Sequence, residues 1–96
     1  MSIPRIDGFL FDEGNEAKFA AHGLSARQVA QVLDAQLLVV PNRKARRGVF
    51  LVIGRDHGGA CIATPVERTR ETGIWRPVTA WPCKDYERGE LERRRL

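Results

Sequence analysis

The stretch Leu24-Ser25-Ala26-Arg27-Gln28-Val29-Ala30-Gln31-Val32-Leu33-Asp34-Ala35-Gln36-Leu37-Leu38-Val39-Val40 changes its hydrophobic period once, and that change decides the fold class. Ser25 followed three positions later by Gln28 spells a capping box, with Leu24 and Val29 as the hydrophobic staple. Ala26, Val29, Ala30, Val32 and Leu33 then recur at three- and four-residue spacing, which lays one apolar stripe along a helix. From Gln36 onward the texture becomes short aliphatic and β-branched runs separated by glycine or charge, the pattern of strands in an antiparallel sheet.

Upstream, Gly23 supplies the left-handed stop of a preceding helix that Asp12 caps and that runs through about His22. His22 itself suits the C-terminal end of that helix, where the dipole favours it. The two helices make an αα-hairpin, and Ile6 to Phe11 before them is predicted as a short strand. Downstream, strands are predicted at Leu37–Val40, Val49–Gly54, Ala60–Val66 and Ile74–Ala80. Asp56-His57-Gly58-Gly59 makes a tight turn and Glu67 to Gly73 a longer charged one. Pro65 and Pro77 remove ladder donors, which pushes their strands toward an edge or a bulge. Pro82 suits the first turn of a last helix over Cys83 to about Arg94, whose apolar stripe is thin: Cys83, Tyr86 and Leu91. The expected order β-α-α-β-β-β-β-α belongs to the α+β class, with helices on an antiparallel sheet.

With 96 residues, of which 43% are hydrophobic, the chain is expected to form one domain, residues 1–96, around a modest core. The start lacks the pattern of an export signal and no run is long enough for a membrane span, so a cytoplasmic protein is expected. Cys61 and Cys83, 22 positions apart, are neither a close metal pair nor a secreted-type disulfide framework, and are read as two buried thiols. The net charge of +4 is lopsided: residues 1–42 sum to −2 and residues 43–96 to +6. Concentrated positive potential attracts polyanions, which favours nucleic acid over a neutral small substrate.

Several chemistries drop out. The only serines are Ser2 and Ser25, and Ser25 is used as a cap, so no nucleophile elbow is present. Gly54, Gly58 and Gly59 fall in a hairpin and read as turn chemistry, not as a phosphate cradle. His22 and His57 lack nearby ligand partners in sequence, so no metal site and no cofactor are expected. Arginine, lysine and carboxylate chemistry remains. Metal-free RNA cleavage needs a positioned 2′-hydroxyl, a base to deprotonate it, fixed cations for the phosphoryl charge and an acid for the leaving oxygen. The candidates are Arg55 and Arg76 for charge stabilisation, Glu87 as base, and Lys84 or Tyr86 as acid. Arg43, Lys44, Arg46 and Arg47 are a dense basic loop, read either as a phosphate clamp or as a solvated loop. Glu87 three positions after Lys84 is equally the pattern of a surface ion pair. Trp75 and Trp81 are expected on opposite faces, one in the core and the other offering a face for base stacking, with Pro77 able to shift the register.

Three segments together resemble one family. Phe9-Leu-Phe11-Asp12 followed by Asn15-Glu-Ala-Lys18-Phe-Ala-Ala-His22-Gly23-Leu24-Ser25 is similar to the opening of BrnT-type toxins. Arg47-Gly48-Val-Phe-Leu-Val-Ile-Gly54-Arg55 resembles their central strand. Trp75-Arg76-Pro77-Val78-Thr79-Ala80, then Glu87, resembles their last strand and helix. The resemblance implies a RelE-like fold, the toxin half of a bacterial type II toxin–antitoxin pair, and metal-independent endoribonuclease activity on mRNA. It also implies an antitoxin partner that carries a DNA-binding domain, with a heterodimer and a larger assembly through the antitoxin both left open. The chain departs from the family at Trp81-Pro82, where arginine often follows Ser/Thr-Ala, and at Leu91, where a tyrosine is frequent. Those departures keep open a second expectation, a catalytically inactive module on the same scaffold that binds antitoxin or nucleic acid.

Overall fold

In the computed structural model, which describes residues 4–42 and 48–93, the Ser25 hydroxyl accepts from the Gln28 N–H and the Gln28 side chain accepts from the Ser25 N–H. This predicted capping box starts α2 (Ala26–Gln31), which tightens into a 3-10 turn at Val32–Asp34. Asp12 and Asn15 make the same reciprocal pair at the start of α1 (Glu13–Ala21). Gly23, between the helices, has φ of 76°, the left-handed stop read from the sequence. Arg43, Lys44, Arg46 and Arg47 lie outside the described residues.

The sheet consists of β1 (Gly8–Phe9), β2 (Leu38–Pro41), β3 (Phe50–Arg55), β4 (Cys61–Arg68), β5 (Ile74–Pro77) and β6 (Trp81–Pro82), and α3 (Asp85–Arg93) follows it. The strand order is β1-β5-β4-β3-β2, with β6 also paired to β4. The chain is therefore a mixed α+β protein with a mostly antiparallel sheet. The expectation of a purely antiparallel sheet is corrected at one edge, where β1 runs parallel to β5. No hairpin joins these two strands, so no turn dictates their relative direction.

Alternate residues of β3 and β4 enter two different cores. Phe50, Val52, Ile62 and Val66 pack with Phe19, Val29, Val32 and Trp75 on the face covered by the N-terminal helices. Leu51, Ile53, Cys61 and Ala63 pack with Cys83 and Leu91 under α3. Burial on both faces explains why Val49–Gly54 reads as a continuous apolar run instead of an alternating one. At Gly54 a Cβ would stand 2.6 Å from Val32 Cγ1, so this glycine lets β3 run directly against the 3-10 turn.

Between the pairs Val66↔Pro77 and Ala63↔Trp81, β4 contributes two residues and the opposing segment three, 78–80. That extra residue is a β-bulge. It places Pro65 as the sequence required. The Pro65 carbonyl accepts from the Val78 N–H at 2.8 Å on the bulge side, so the missing N–H of Pro65 faces the interrupted ladder although β4 is a central strand. The bulge also sets the two tryptophans. They do lie on opposite faces, but not through alternation, which at six positions apart would put both on one face: the inserted residue turns Trp75 into the core under the N-terminal helices and Trp81 toward α3.

Two expectations for the C-terminal segment are corrected. Pro82 belongs to β6 and not to the first helical turn, because Ile62 pairs with it. Tyr86 points outward, 53% exposed, while Glu87 and Leu91, four positions apart, form the inward stripe of α3. The reading of Cys61 and Cys83 as thiols is corrected too: both are buried, but they are joined as a disulfide with a Cα–Cα distance of 5.3 Å. The pairing of Ile62 with Pro82 brings their flanking cysteines side by side, which no count of sequence separation reveals. Among the described residues no helix is long and apolar enough to cross a membrane.

Candidate nucleic-acid interface

The sequence-predicted candidates among the described residues fall in three separate places. The first is the start of α3. Glu87 is the third residue of that helix and is fully buried; its Oε1 accepts from the Lys84 backbone N–H at 2.8 Å and from Trp81 Nε1 at 3.0 Å, and Tyr86 Oη lies 3.5 Å from Oε2. A carboxylate three positions into a helix that accepts the N-cap N–H is half of a capping box. The Lys84 ammonium rests 5.9 Å from the Trp81 ring centroid, so Trp81, Lys84 and Glu87 are one packed unit. A general base must come within hydrogen-bond reach of the proton it removes, and in this arrangement the Glu87 oxygens face protein donors.

The second place is Arg76. Its Nε donates to Asp12 Oδ2 at 2.7 Å, Nη2 to Asp12 Oδ1 at 3.1 Å and Nη1 to Glu67 Oε2 at 2.8 Å. The fork on Asp12, together with the Asn15 N–H, holds the Asp12 carboxyl down to about 2, below the usual carboxylate range. The same fork, helped by Glu67, raises the Arg76 guanidinium further above its already high ordinary value. Arg76 thus ties the start of α1 to β4. The neighbouring Asn15 side chain, fully buried, donates to the carbonyls of Leu10 and Pro77 at 3.0 Å each and closes the same corner.

The third place is Arg55, at the end of β3. Its side chain is 32% exposed, donates to the Gly59 carbonyl at 3.3 Å and pairs with Glu92 at 3.4 Å. It lines an open cavity of about 200 Å³ with Ala35, Gln36, Leu91 and Glu92. Arg55 pairs with Cys61 and Arg76 with Glu67, so the two arginines stand about 20 Å apart along β4 at roughly 3.3 Å per residue. Two guanidinium groups that share one phosphate must both come within about 3 Å of its oxygens. Arg55 and Arg76 therefore do not converge on one phosphate group.

No protein-family model matches the chain, and no curated protein sequence matches it either.

Sequence reasoning passed over a fourth arrangement beside Arg55. Gln28, Gln31 and Asp34 recur every third residue along α2 and the 3-10 turn and reach the turn that joins β3 to β4. Gln28 Nε2 donates to Asp56 Oδ2 at 3.2 Å, Gln31 Oε1 accepts from the His57 N–H at 3.0 Å, and Asp34 Oδ2 meets His57 Nε2 at 2.8 Å. The turn is closed internally by the Ala60 N–H on Asp56 Oδ1, the first of the contacts that lower the Asp56 pKa. The signal was present as a polar stripe of period three beside the apolar one on α2, but its partner lies in a turn that nothing in sequence places next to it. On the other face of the sheet Arg68 lies 5.3 Å from the Trp75 ring centroid, and Trp75 Nε1 donates to the Arg5 carbonyl at 2.9 Å, so Trp75 is a core residue with one edge under a cation.

Proposed function

We propose that this chain acts on RNA as the toxin half of a bacterial type II toxin–antitoxin pair, through metal-independent cleavage on a RelE-like, BrnT-type scaffold. The observation that carries the reading is Arg55: an accessible cation on the wall of an open cavity, at the end of the strand that resembles the family's central strand. Its permanent charge and planar fork suit a phosphodiester. The basic balance of residues 43–96 adds a field that draws a polyanion toward the same half of the chain. The order of elements supports the scaffold: strand, two helices, antiparallel strands and a last helix follow one another as the three resembling segments require.

The partner reading rests on surfaces a second chain would cover. Among the described residues β2 is an edge strand of the sheet, and an acidic antitoxin segment would complement the basic half. The protein would act in the cytoplasm, where mRNA is found.

A second reading is favoured by one specific observation, the burial of Glu87 beneath Trp81. In that reading the domain keeps the scaffold, has no cleavage chemistry and binds antitoxin or RNA. Induction of the chain alone in a bacterial host separates the two. Growth arrest with fragmented mRNA, relieved by Arg55→Ala, supports the nuclease; normal growth at good expression, with salt-sensitive RNA binding by the purified chain, supports the binding module.

A further inference from the structure

We propose that His57 is the proton acceptor of the RNA-cleaving site and Asp34 its positioning residue, with Arg55 as the phosphate anchor between them and the cavity. This rests on the ribonuclease reading above and moves its chemistry from Glu87 to the β3–β4 turn.

His57 is held at two points, one on its ring and one on its backbone. Asp34 Oδ2 lies 2.8 Å from His57 Nε2, and Gln31 Oε1 holds the His57 backbone N–H at 3.0 Å. Gln28 anchors the preceding residue, Asp56, so three side chains spaced three apart fix this one turn. An ionised carboxylate only accepts, so this contact selects the tautomer with the proton on Nε2, in which Nδ1 presents a lone pair. Both side chains are open to a substrate: 60% of His57 and 63% of Asp34 is exposed. That exposure separates this pair from Glu87, whose oxygens are occupied within the protein.

The dyad is joined through the chain to two walls of the Arg55 cavity. Asp34 immediately precedes Ala35 and Gln36 on one wall, and His57 lies two residues beyond Arg55 on the other. Two residues span at most about 7 Å of chain, so the backbones of Arg55 and His57 lie within about one nucleotide's length of each other. The step balances without a metal. Nδ1 takes the 2′-hydroxyl proton as O2′ bonds to phosphorus, and the P–O5′ bond breaks. The leaving oxygen takes a proton from water, and the resulting hydroxide receives the proton held by the imidazolium. The products are a 2′,3′-cyclic phosphate and a 5′-hydroxyl.

The test uses the full chain, an RNA oligonucleotide and its 2′-O-methyl analogue, which binds but cannot be cleaved. His57→Gln is expected to lower the cleavage rate at least about 100-fold while leaving the Kd for the analogue unchanged. Asp34→Asn is expected to lower the rate about 10-fold, again at unchanged Kd, and to shift the His57 imidazole ¹⁵N resonances toward the other tautomer. Circular dichroism identical to the parent shows that each variant is folded. Cleavage by the parent that survives His57→Gln overturns this assignment and leaves the ribonuclease reading standing. RNA left intact by the parent overturns both readings, and a product that ends in a linear phosphate from the outset overturns the 2′-hydroxyl route alone.

Discussion

Arg76 grips Asp12 with a two-point fork, Nε on Oδ2 at 2.7 Å and Nη2 on Oδ1 at 3.1 Å, across 64 positions of sequence. The arginine that the sequence offers as a transition-state cation is instead the clasp between the first helix cap and the sheet. Its third nitrogen, Nη1, donates to Glu67.

That clasp predicts a pH dependence of stability. Asp12 sits at about 2 in the folded chain against 3.8 for an ordinary aspartate, chiefly because of the Arg76 hydrogen bonds and then the Asn15 N–H. A lowered folded pKa gives stability that is complete above the unfolded value and drains as pH falls through the folded one. The contribution of Asp12 is therefore whole above about pH 5 and disappears between about pH 4 and pH 2. In Arg76→Gln this acid-dependent contribution shrinks, because Asp12 titrates nearer its ordinary value, and the thermal midpoint at neutral pH falls by roughly 5 °C. Acid titrations followed by circular dichroism, parent beside variant, measure both effects.

Trp81 predicts a second effect. Its indole N–H donates to the buried Glu87 carboxylate at 3.0 Å, so Trp81→Phe leaves that carboxylate short of one donor inside the protein. A buried acceptor stripped of a charged hydrogen bond costs about 1–3 kcal/mol. Urea unfolding of Trp81→Phe should show that loss, with the midpoint shifted and the slope unchanged. A variant as stable as the parent would mean that Glu87 does not depend on the indole.

Reduction of the Cys61–Cys83 bond predicts a third. The bridge closes a loop of 22 positions, and loop-closure entropy for that length is worth about 3 kcal/mol in the chain-entropy model. For a domain this size that corresponds to a drop in Tm of roughly 10–20 °C on full reduction. Calorimetry with and without a strong thiol reductant, repeated on Cys83→Ser, reads the loss directly; the variant should match the reduced parent and be insensitive to the reductant.

How much of this was legible in sequence depends on the distance over which each feature is decided. Ser25 and Gln28, Asp12 and the stop at Gly23 are settled within a few residues, and the helices start and end where those residues dictate. β3 and β4 were legible from their apolar runs, with ends displaced by one or two residues. The parallel edge β1–β5 was not, because the register of two strands separated by most of the chain has no local signature. The same holds for Cys61 with Cys83. Tyr86 and Glu87 exchanged their expected orientations because Trp81 offered a buried donor that outweighs the preference for an apolar residue there.

The candidate site was legible as composition and not as geometry. Arg55, Arg76, Lys84 and Glu87 stood out as residue types at a strand end, within a strand and near the last helix, but sequence cannot say that Arg76 is held by Asp12 and Glu67 and Glu87 by Trp81 and Lys84, while Arg55 borders a cavity. His57 had no visible partner in sequence; Asp34 reaches it only because α2 and the 3-10 turn pack beside the β3–β4 turn.

The most direct measurement is incubation of the purified chain with a single-stranded RNA in the presence of a chelator, parent beside Arg55→Ala and Arg76→Gln. The nuclease assignment predicts cleavage by the parent, a loss of at least about 10-fold in kcat/KM for Arg55→Ala from the missing phosphate contact, and activity retained in folded Arg76→Gln. Intact RNA with the parent, or full activity in Arg55→Ala, would contradict it.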